Sequence, residues 1–460
     1  MDYGGHAESL LPVEITDSVI DHLRDDYPSL FACALACRAW LPRARFHIFR
    51  RVVAMDVAGY DRLAHLSNAN QDIAYAIVHL SIIKGSQLRR TNVDREWPTI
   101  LSKLSRLEDL SVSQWSASEL PEEVVQDLPK YFSHIKTLRL QGVHAWRPWK
   151  PDFPRLLCAC SELSVLYLDS IWWLDPPEEF ITLPTLHPDG PLPPAVAASM
   201  PSRTVPLEAL CYSQCQEHVA AWLMRSPLLA GLRRLQCLWA PNSQIMRITH
   251  GFLRAAGTSL EELCLVLDSV PFAFLVPTST RQLNLERNPC LVSVHIRSAN
   301  VDPSTAHTTL YMLRNIMLVL QNVHANNCPI QHLTVSLARE EFIFESIDSH
   351  GPHGGRLTAT RVWRRIDDVL TKLARKDSEL TFTCNILDHS SDNVDEWASD
   401  AVDDVLHFVP QLRATDCEIR VVCGIRWSDD ISSGMPLGGM FVGEFLERRF
   451  ERRSRVLHKE

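Results

Sequence analysis

Thirteen cysteines and nineteen histidines give this 460-residue chain ample nucleophiles and metal ligands, yet their spacing builds no reaction centre. No C-x-x-C occurs, so paired zinc knuckles and dithiol redox motifs are absent. The closest pairs are Cys33/Cys37, Cys158/Cys160 and Cys211/Cys215. Four-residue spacing stacks the first pair on one helical face, where cysteine packs as a small hydrophobe. His6, His22 and His47 lack ligand spacing. The neighbouring carboxylates Asp403/Asp404 and Glu261/Glu262 point in different directions on a helix or strand and cannot act as a dyad. Motifs of the types G-x-x-x-x-G-K-[ST], H-E-x-x-H and G-x-S-x-G are missing, which removes the phosphate loop, the zinc protease and the nucleophile elbow. These residues point to a chain that is not an enzyme and needs no cofactor or metal.

Composition narrows the class further. With 46% hydrophobic and 22% charged residues, the chain can bury a sizeable core. A net charge of −9 argues against a broad nucleic-acid surface, though not against a local basic patch. Seventeen glycines are few for phosphate-cradling loops, and 28 prolines imply a much-punctuated chain. There is no basic n-region or continuous apolar h-region at the front, and the stretch near Leu310 to Val323 is broken by polar residues. No signal peptide or membrane span is therefore expected. Scattered thiols suit a reducing compartment, cytoplasmic and/or nuclear.

The elements that must position any functional residue begin with a small helical segment. In residues 11–52, Ile15, Val19, Ile20 and Leu23 recur at helical spacing after Pro12. Asp26, Tyr27 and Pro28 break that helix and start a second, whose apolar positions are Leu30, Phe31, Ala34, Leu35 and Cys37. Trp40 opens a third, with Phe46, Ile48 and Phe49 set among arginines. Three short helices cannot bury this much apolar surface alone. Either the rest of the chain or a partner must cover the remainder.

These residues resemble an F-box, in the form abundant in mushroom-forming fungi. The likeness rests on the L-P-x-E-I start, the aliphatic positions that follow, and the C-R-x-W-x-P-x-A-R end. Leu11, Pro12, Glu14, Ile15, Leu23, Leu30, Cys37 and Trp40 fall on the motif, while Ala36 stands where the family usually has a larger aliphatic residue. The resemblance implies a three-helix unit over 8–52 that docks on the Skp-type adaptor of an SCF (cullin–RING) ubiquitin ligase. The alternative is that these helices merely cap the domain behind them.

Behind residue 52 a pattern L-x-x-L-x-[apolar] recurs, starting at Ile77, Leu107, Ile135, Leu163, Leu207, Leu232, Leu260, Leu291 and Ile330. Most starts lie 25–31 residues apart, close to the roughly 20–29 of leucine-rich repeats. Helical patterns lie between and after them, at Gln216–Arg225, Gln244–Ala256, Thr309–Val323, Arg361–Arg375 and Glu396–Val409. Strand and helix alternation predicts an α/β chain with one parallel sheet. A doubly wound sheet would satisfy that alternation, but the near-constant period favours a curved solenoid over 53–440. This part resembles irregular leucine-rich repeats, with Asn284 and Asn288 the nearest approach to the family's asparagine. Two segments interrupt it: the proline-rich 175–206, and 340–356 with its GPHGG turn. The run Arg448, Arg449, Arg452, Arg453, Arg455 in 441–460 reads as a charged C-terminal helix or tail. Trp146/Trp149 and Trp172/Trp173 are anchors or an exposed patch.

An F-box followed by such repeats resembles a substrate receptor, with the adaptor at one end and an unknown protein target on the sheet. Alternate strand residues face away from the core, which nominates Arg139, Tyr167, Arg234, Gln236, Asn284 and His332 as target contacts. No nucleic acid or membrane partner is expected. The competing readings are an interaction scaffold outside ubiquitin transfer and a cryptic α/β enzyme with its site at the strand ends.

Overall fold

In every copy of the L-x-x-L-x-[apolar] pattern the three apolar positions are buried, from Ile77, Leu80 and Ile82 to Ile330, Leu333 and Val335. The first position closes a turn, and the second and third lie on a strand. The computed structural model describes residues 12–54, 57–83, 100–113, 131–142, 156–157, 159–171, 207–239, 243–267, 283–298, 306–326, 328–338, 359–376, 379–388, 397–425 and 455–458. They form two compact units, divided within the strand Val165–Asp169.

The first unit opens with α1 (Val13–His22), α2 (Tyr27–Ala36) and α3 (Leu41–Arg50). The last of these runs without a break into β1 (Arg51–Ala54), so the helical segment and the sheet are continuous at residues 50–51. Next come α4 (Val57–Ala69) and α5 (Gln71–Ala76), then β2 (His79–Ile83), β3 (Asp109–Ser113), β4 (Thr137–Gln141) and β5 (Val165–Asp169). Strands β1 to β4 pair in parallel and in sequence order. The pattern does not reveal β1, α4 or α5, which precede its first copy.

The second unit alternates in the same sense. Its order is β6 (Ala209–Ser213), α6 (Glu217–Arg225), β7 (Arg234–Trp239), α7 (Ser243–Ala256), β8 (Glu262–Leu267), β9 (Ser293–Ser298) and α8 (Ala306–Ala325). β10 (His332–Ala338), α9 (Ala359–Lys376), β11 (Thr381–Asp388), α10 (Ala398–Phe408), α11 (Pro410–Arg413) and β12 (Glu418–Ile425) complete the parallel series. All five helices expected from periodicity are present. The final strand departs from expectation. β13 (Arg455–His458) pairs antiparallel with β12, with Cys423 opposite Arg455. The charged C-terminal stretch thus ends in a strand rather than a helix, and the sheet is not parallel to its last edge. Arg448 to Arg453, the two interrupting segments, both tryptophan pairs and Cys158 lie outside the described residues.

The first four residues of β2 and β3 and all of β4 alternate half-buried and buried, with Ile83 and Ser113 also buried at the ends of β2 and β3, so the packed leucines occupy one face. A doubly wound parallel sheet is apolar on both faces, and these strands are not. In the second unit the first residues of β7 and β8 are exposed, but Leu238 and Val266 near their ends are buried.

Neighbouring repeats are joined just ahead of each strand. The Val78 carbonyl accepts from both Glu108 N–H and Asp109 N–H, and Glu108 and Lys136 repeat the arrangement with the next copies. In the second unit the carbonyls of Glu208, Arg233, Glu261 and Val292 do the same. Side chains add to it where Ser164 donates to Lys136 O, Ser259 to Leu232 O, and the Cys417 thiol to Leu380 O. One asparagine adds a further link. Asn288 is fully buried, and its amide donates to Leu253 O and Gly257 O of the preceding repeat.

Further along, buried Asp367 on α9 accepts from Gln411 N–H and Leu412 N–H and so fixes α11. Replacing Asn288 with Ala should remove one donor from buried Leu253 O and one from half-buried Gly257 O and cost about 2–3 kcal/mol. Urea unfolding of the variant tests this; an unchanged midpoint would show that water replaces the amide freely.

Candidate protein-docking site

The three N-terminal helices have well-defined starts. Pro12 precedes α1 in an extended conformation, and Thr16 Oγ1 donates back to Val13 O. Asp26 caps α2, accepting from the Ser29 amide and hydroxyl, which hold its carboxyl below the usual range. Pro28 and Pro42 sit in the first turns of α2 and α3, where a missing N–H costs nothing.

Ile20, Leu30 and Ala44 form the centre of this unit, with Leu23, Cys33, Ala34, Trp40 and Ile48 packed around them. An electrostatic clamp ties α1 to α3. Asp21 accepts two hydrogen bonds from Arg43, both at 2.5 Å, and a third contact from His47 Nε2 at 2.7 Å. The Arg43 bonds in particular hold the Asp21 carboxyl down at about 2, with burial opposing and His47 reinforcing.

With the centre filled from inside, a second set of apolar side chains faces outward. On α1 these are Ile15, 51% exposed, and Val19 one turn later, with Val13 beside them. On α2, Tyr27, Phe31 and Leu35 follow at four-residue spacing, and Leu35 is 88% exposed. Large apolar residues rarely remain in water along whole helix faces without a partner.

The residues nominated from sequence divide accordingly. Pro12, Glu14, Ile15 and Cys37 are exposed and available. Leu23 and Trp40 are half-buried against the centre and support the face from below. Leu30 is a correction: it is 0% exposed and cannot touch a partner while the unit is folded. Leu11 lies outside the described residues. Sequence reasoning did not single out Val13, Val19, Tyr27, Phe31 and Leu35 as exposed, because it read α2 as one apolar face. The adjacent pairs Leu30/Phe31 and Ala34/Leu35 were the available signal, since neighbours on a helix are about 100° apart and need two different coverings.

Arg139, Tyr167, Arg234, Gln236 and His332, five of the six nominated target contacts, sit on the strand face away from the leucines. Arg139 is held by Asp109 of the neighbouring strand at 2.8 and 3.0 Å, and His79 lies 3.4 Å from the same carboxylate. Tyr167 and Gln236 are half-buried, and Arg234 and His332 are exposed. Arg234, Glu262, Ser293 and His332 form one row across β7 to β10, so Arg234 and His332 are about 14 Å apart. Asn284 is a second correction. It precedes β9 in a turn, where its side chain accepts from Glu286 N–H, and it belongs to no strand row.

A further cluster on this face escaped the sequence reading altogether. His295 Nε2 lies 2.8 Å from Ser336 Oγ, and the Asn385 amide donates to the same oxygen at 3.0 Å. A serine against a histidine has the form of an activated nucleophile. Burial, aided by nearby Arg297, depresses the His295 pKa to about 4, which makes it a weak base at neutral pH. The arrangement is better suited to pinning β9, β10 and β11 together. Among the described residues no group of three His, Cys, Asp or Glu could hold a metal ion, and no helix is long and apolar enough to cross a membrane.

The chain matches no known protein-family model, and no curated protein resembles it closely enough to count as a match. The docking face therefore rests on its own geometry.

Two pH effects follow. Asp21 titrates lower when folded than its usual 3.8, so its contribution is complete above about pH 4 and is lost as pH falls through about 2. Because both partners of the clamp are more than a third exposed, we set its worth at about 1 kcal/mol after screening. Thermal melts of Asp21→Asn should converge with the parent's near pH 2; curves that stay equally apart at every pH would remove the clamp from the account. His295 acts in the same direction at higher pH: its folded form resists the proton that the unfolded chain takes up below 6.5, so stability again falls with acid. The second unit should lose up to about 3 kcal/mol between pH 6.5 and 4, and His295→Gln should flatten that slope.

Proposed function

We propose that this chain is the substrate-recognition subunit of an SCF-type ubiquitin ligase. In that reading α1 to α3 form the F-box and bind the Skp-type adaptor. The strands behind them form an irregular leucine-rich-repeat solenoid whose open face holds a protein target. The observation that carries the reading is the outward apolar set Ile15, Val19, Tyr27, Phe31 and Leu35, which coexists with a separately filled centre. A unit that only capped the sheet would turn those side chains inward. Pro12, Glu14 and Ile15, three residues of the L-P-x-E-I start, are exposed beside them, as docking requires.

The one-sided burial of β2 to β4 supports the second half of the proposal. It leaves a row of polar side chains, including His79, Asp109 and Arg139, free of the core. Catalysis would then belong to the ligase. This chain contributes proximity, raising the effective concentration of a target lysine near the ubiquitin thioester. The setting is cytoplasmic or nuclear, where that machinery works.

Titration calorimetry with a purified Skp-type adaptor tests the reading. Phe31→Asp with Leu35→Asp should weaken binding at least about 30-fold, as expected for buried hot-spot anchors, while leaving the helical circular dichroism intact. Leu30→Ala should instead lower thermal stability. No binding by the parent chain, or equal binding by the double variant, would sink the F-box assignment.

A further inference from the structure

Helix α3 has two working faces. At 100° per residue, Arg43, Ala44, His47 and Ile48 lie together within about 140° of arc. That face serves the N-terminal centre: Ala44 belongs to it, Ile48 packs on it, and Arg43 and His47 hold Asp21 of α1. Phe46 and Phe49 lie on the far side, about 200° round the helix. Phe46 is flanked by two guanidinium groups, Arg43 at 5.4 Å and Arg106 at 5.6 Å. Arg106 also stands 4.9 Å over the ring of Tyr75 on α5. It belongs to the turn that leads into β3, so one side chain joins α3 to α5 and to the next repeat.

Past Phe49 the chain runs straight into β1, whose pairing with β2 fixes a register: Arg51 opposite His79, Val52 opposite Leu80, Ala54 opposite Ile82. Counting back along it sets Phe49 against Ile77, the first apolar position of the copy at 77–82. Phe49, Val52 and Ala54 thus stand at the three apolar positions of one further copy, 28 residues ahead of Ile77. The same spacing separates Leu107 from Ile135 and Ile135 from Leu163. The junction agrees, since Arg50 O accepts from Val78 N–H at 3.0 Å just as Val78 O accepts from Glu108 N–H at 2.9 Å. Burial agrees as well. Ala54 is buried, Phe49 and Val52 are half-buried, and Arg51 and Val53 on the other face are exposed. Half-burial suits an end copy, which has a neighbouring repeat on one side only. Phenylalanine, valine and alanine stand here in place of leucine, so a leucine pattern does not show this copy.

We infer that residues 49–54 are a cryptic terminal copy of the repeat, and that α3 belongs to the docking helices by one face and to the repeats by the other. The N-terminal helices and the first repeats therefore open and close as one cooperative body. A repeat draws its stability from its neighbours, and the end of an array needs a cap. Three short helices bury too little apolar surface to stand alone. Each part supplies what the other lacks, and both fall within one compact unit. A ligand that binds the folded α1 and α2 then also stabilises β1 and β2. The outward side chains of α1 and α2 take no part in this joint, so it is independent of the adaptor reading.

Hydrogen–deuterium exchange of the full chain tests the inference, read by mass spectrometry on the slowest amides of each element. Ala54→Asp places a carboxylate at a buried position of β1, outside the three helices. It should speed exchange at least about tenfold in α1, α2 and α3 as well as in β2, with β10 and β11 of the second unit as the unchanged reference. Leu30→Ala opens a cavity in the docking centre and should transmit the other way, speeding β1 and β2 at least about tenfold. Arg106→Ala should speed both sets about threefold, while Arg106→Lys keeps the parent's rates. The inference is overturned if Ala54→Asp speeds the strands and leaves the helices at the parent's rates, or if Leu30→Ala is felt in the helices alone. Where Ala54→Asp prevents folding, Leu30→Ala and Arg106→Ala decide by the same criterion: both sets faster upholds the joint, one set alone removes it.

Discussion

A carbonyl shared between two amides is the constraint on which the repeating part of this protein depends. At seven junctions the residue after the first buried position offers one oxygen to two successive N–H groups of the next repeat, and at an eighth Gln331 O accepts from Thr381 N–H. The turn into a strand is the point where neither the strand ladder nor a helix satisfies those amides, and an unsatisfied buried amide costs about 1–3 kcal/mol. The shared acceptor meets the need with backbone alone, so no particular side chain is demanded there. That explains how the repeats tolerate Val78, Glu108, Lys136, Glu208, Arg233, Glu261 and Val292 at one equivalent position. Asn288 is a position where a side chain adds to the backbone link.

Because the junction is indifferent to side chains, sequence specificity concentrates in the three apolar positions. Each adds leucine-sized burial, worth about 1.5–3 kcal/mol, and all lie on one side of the strands. The other side is then free to vary, and it does so with Arg139 and Asp109 in one unit and His295, Ser336 and Asn385 in the other. The N-terminal helices divide their labour in a comparable way. Ile20, Leu30 and Ala44 hold them together, and Ile15, Phe31 and Leu35 are left for something else.

This division sets what was legible in the sequence. The α/β alternation could be read because burial repeats: Leu80, Leu110 and Leu138 announce β2, β3 and β4, and the 3.6-residue period of Val362, Ile366 and Leu373 announces α9. β1 was not legible, since its four residues precede the first copy of the pattern and follow a helix rich in arginine. β13 was hidden by a charge run that reads equally well as a helix. Leu30 and Phe31 are adjacent apolar residues, and only packing decides that the first is internal and the second external. The His295–Ser336–Asn385 cluster joins residues 41 and 49 positions apart on the face that carries no pattern. Asn284 and Asn288 differ by a single helical turn in sequence, yet one closes a local turn and the other crosses to the previous repeat.

The scarcity of glycine follows from the same economy of side chains. Immediately after β4, β5 and β6 the chain turns through the left-handed region: Gly142, Ser170 and Gln214 have φ of 57°, 54° and 46°. The three are equivalent, each seven residues beyond the first buried apolar position, whereas Trp239, Leu267, Ser298 and Leu337 at that position still lie within β7 to β10; the turn belongs to these three repeats and not to any one residue. Glycine occupies it once. An L-residue in that region costs about 1–2 kcal/mol, which the neighbouring strand pairing and the buried apolar triplet outweigh. Where a repeat is anchored that firmly, glycine is not required, and a chain built of such repeats can do without a glycine at every turn.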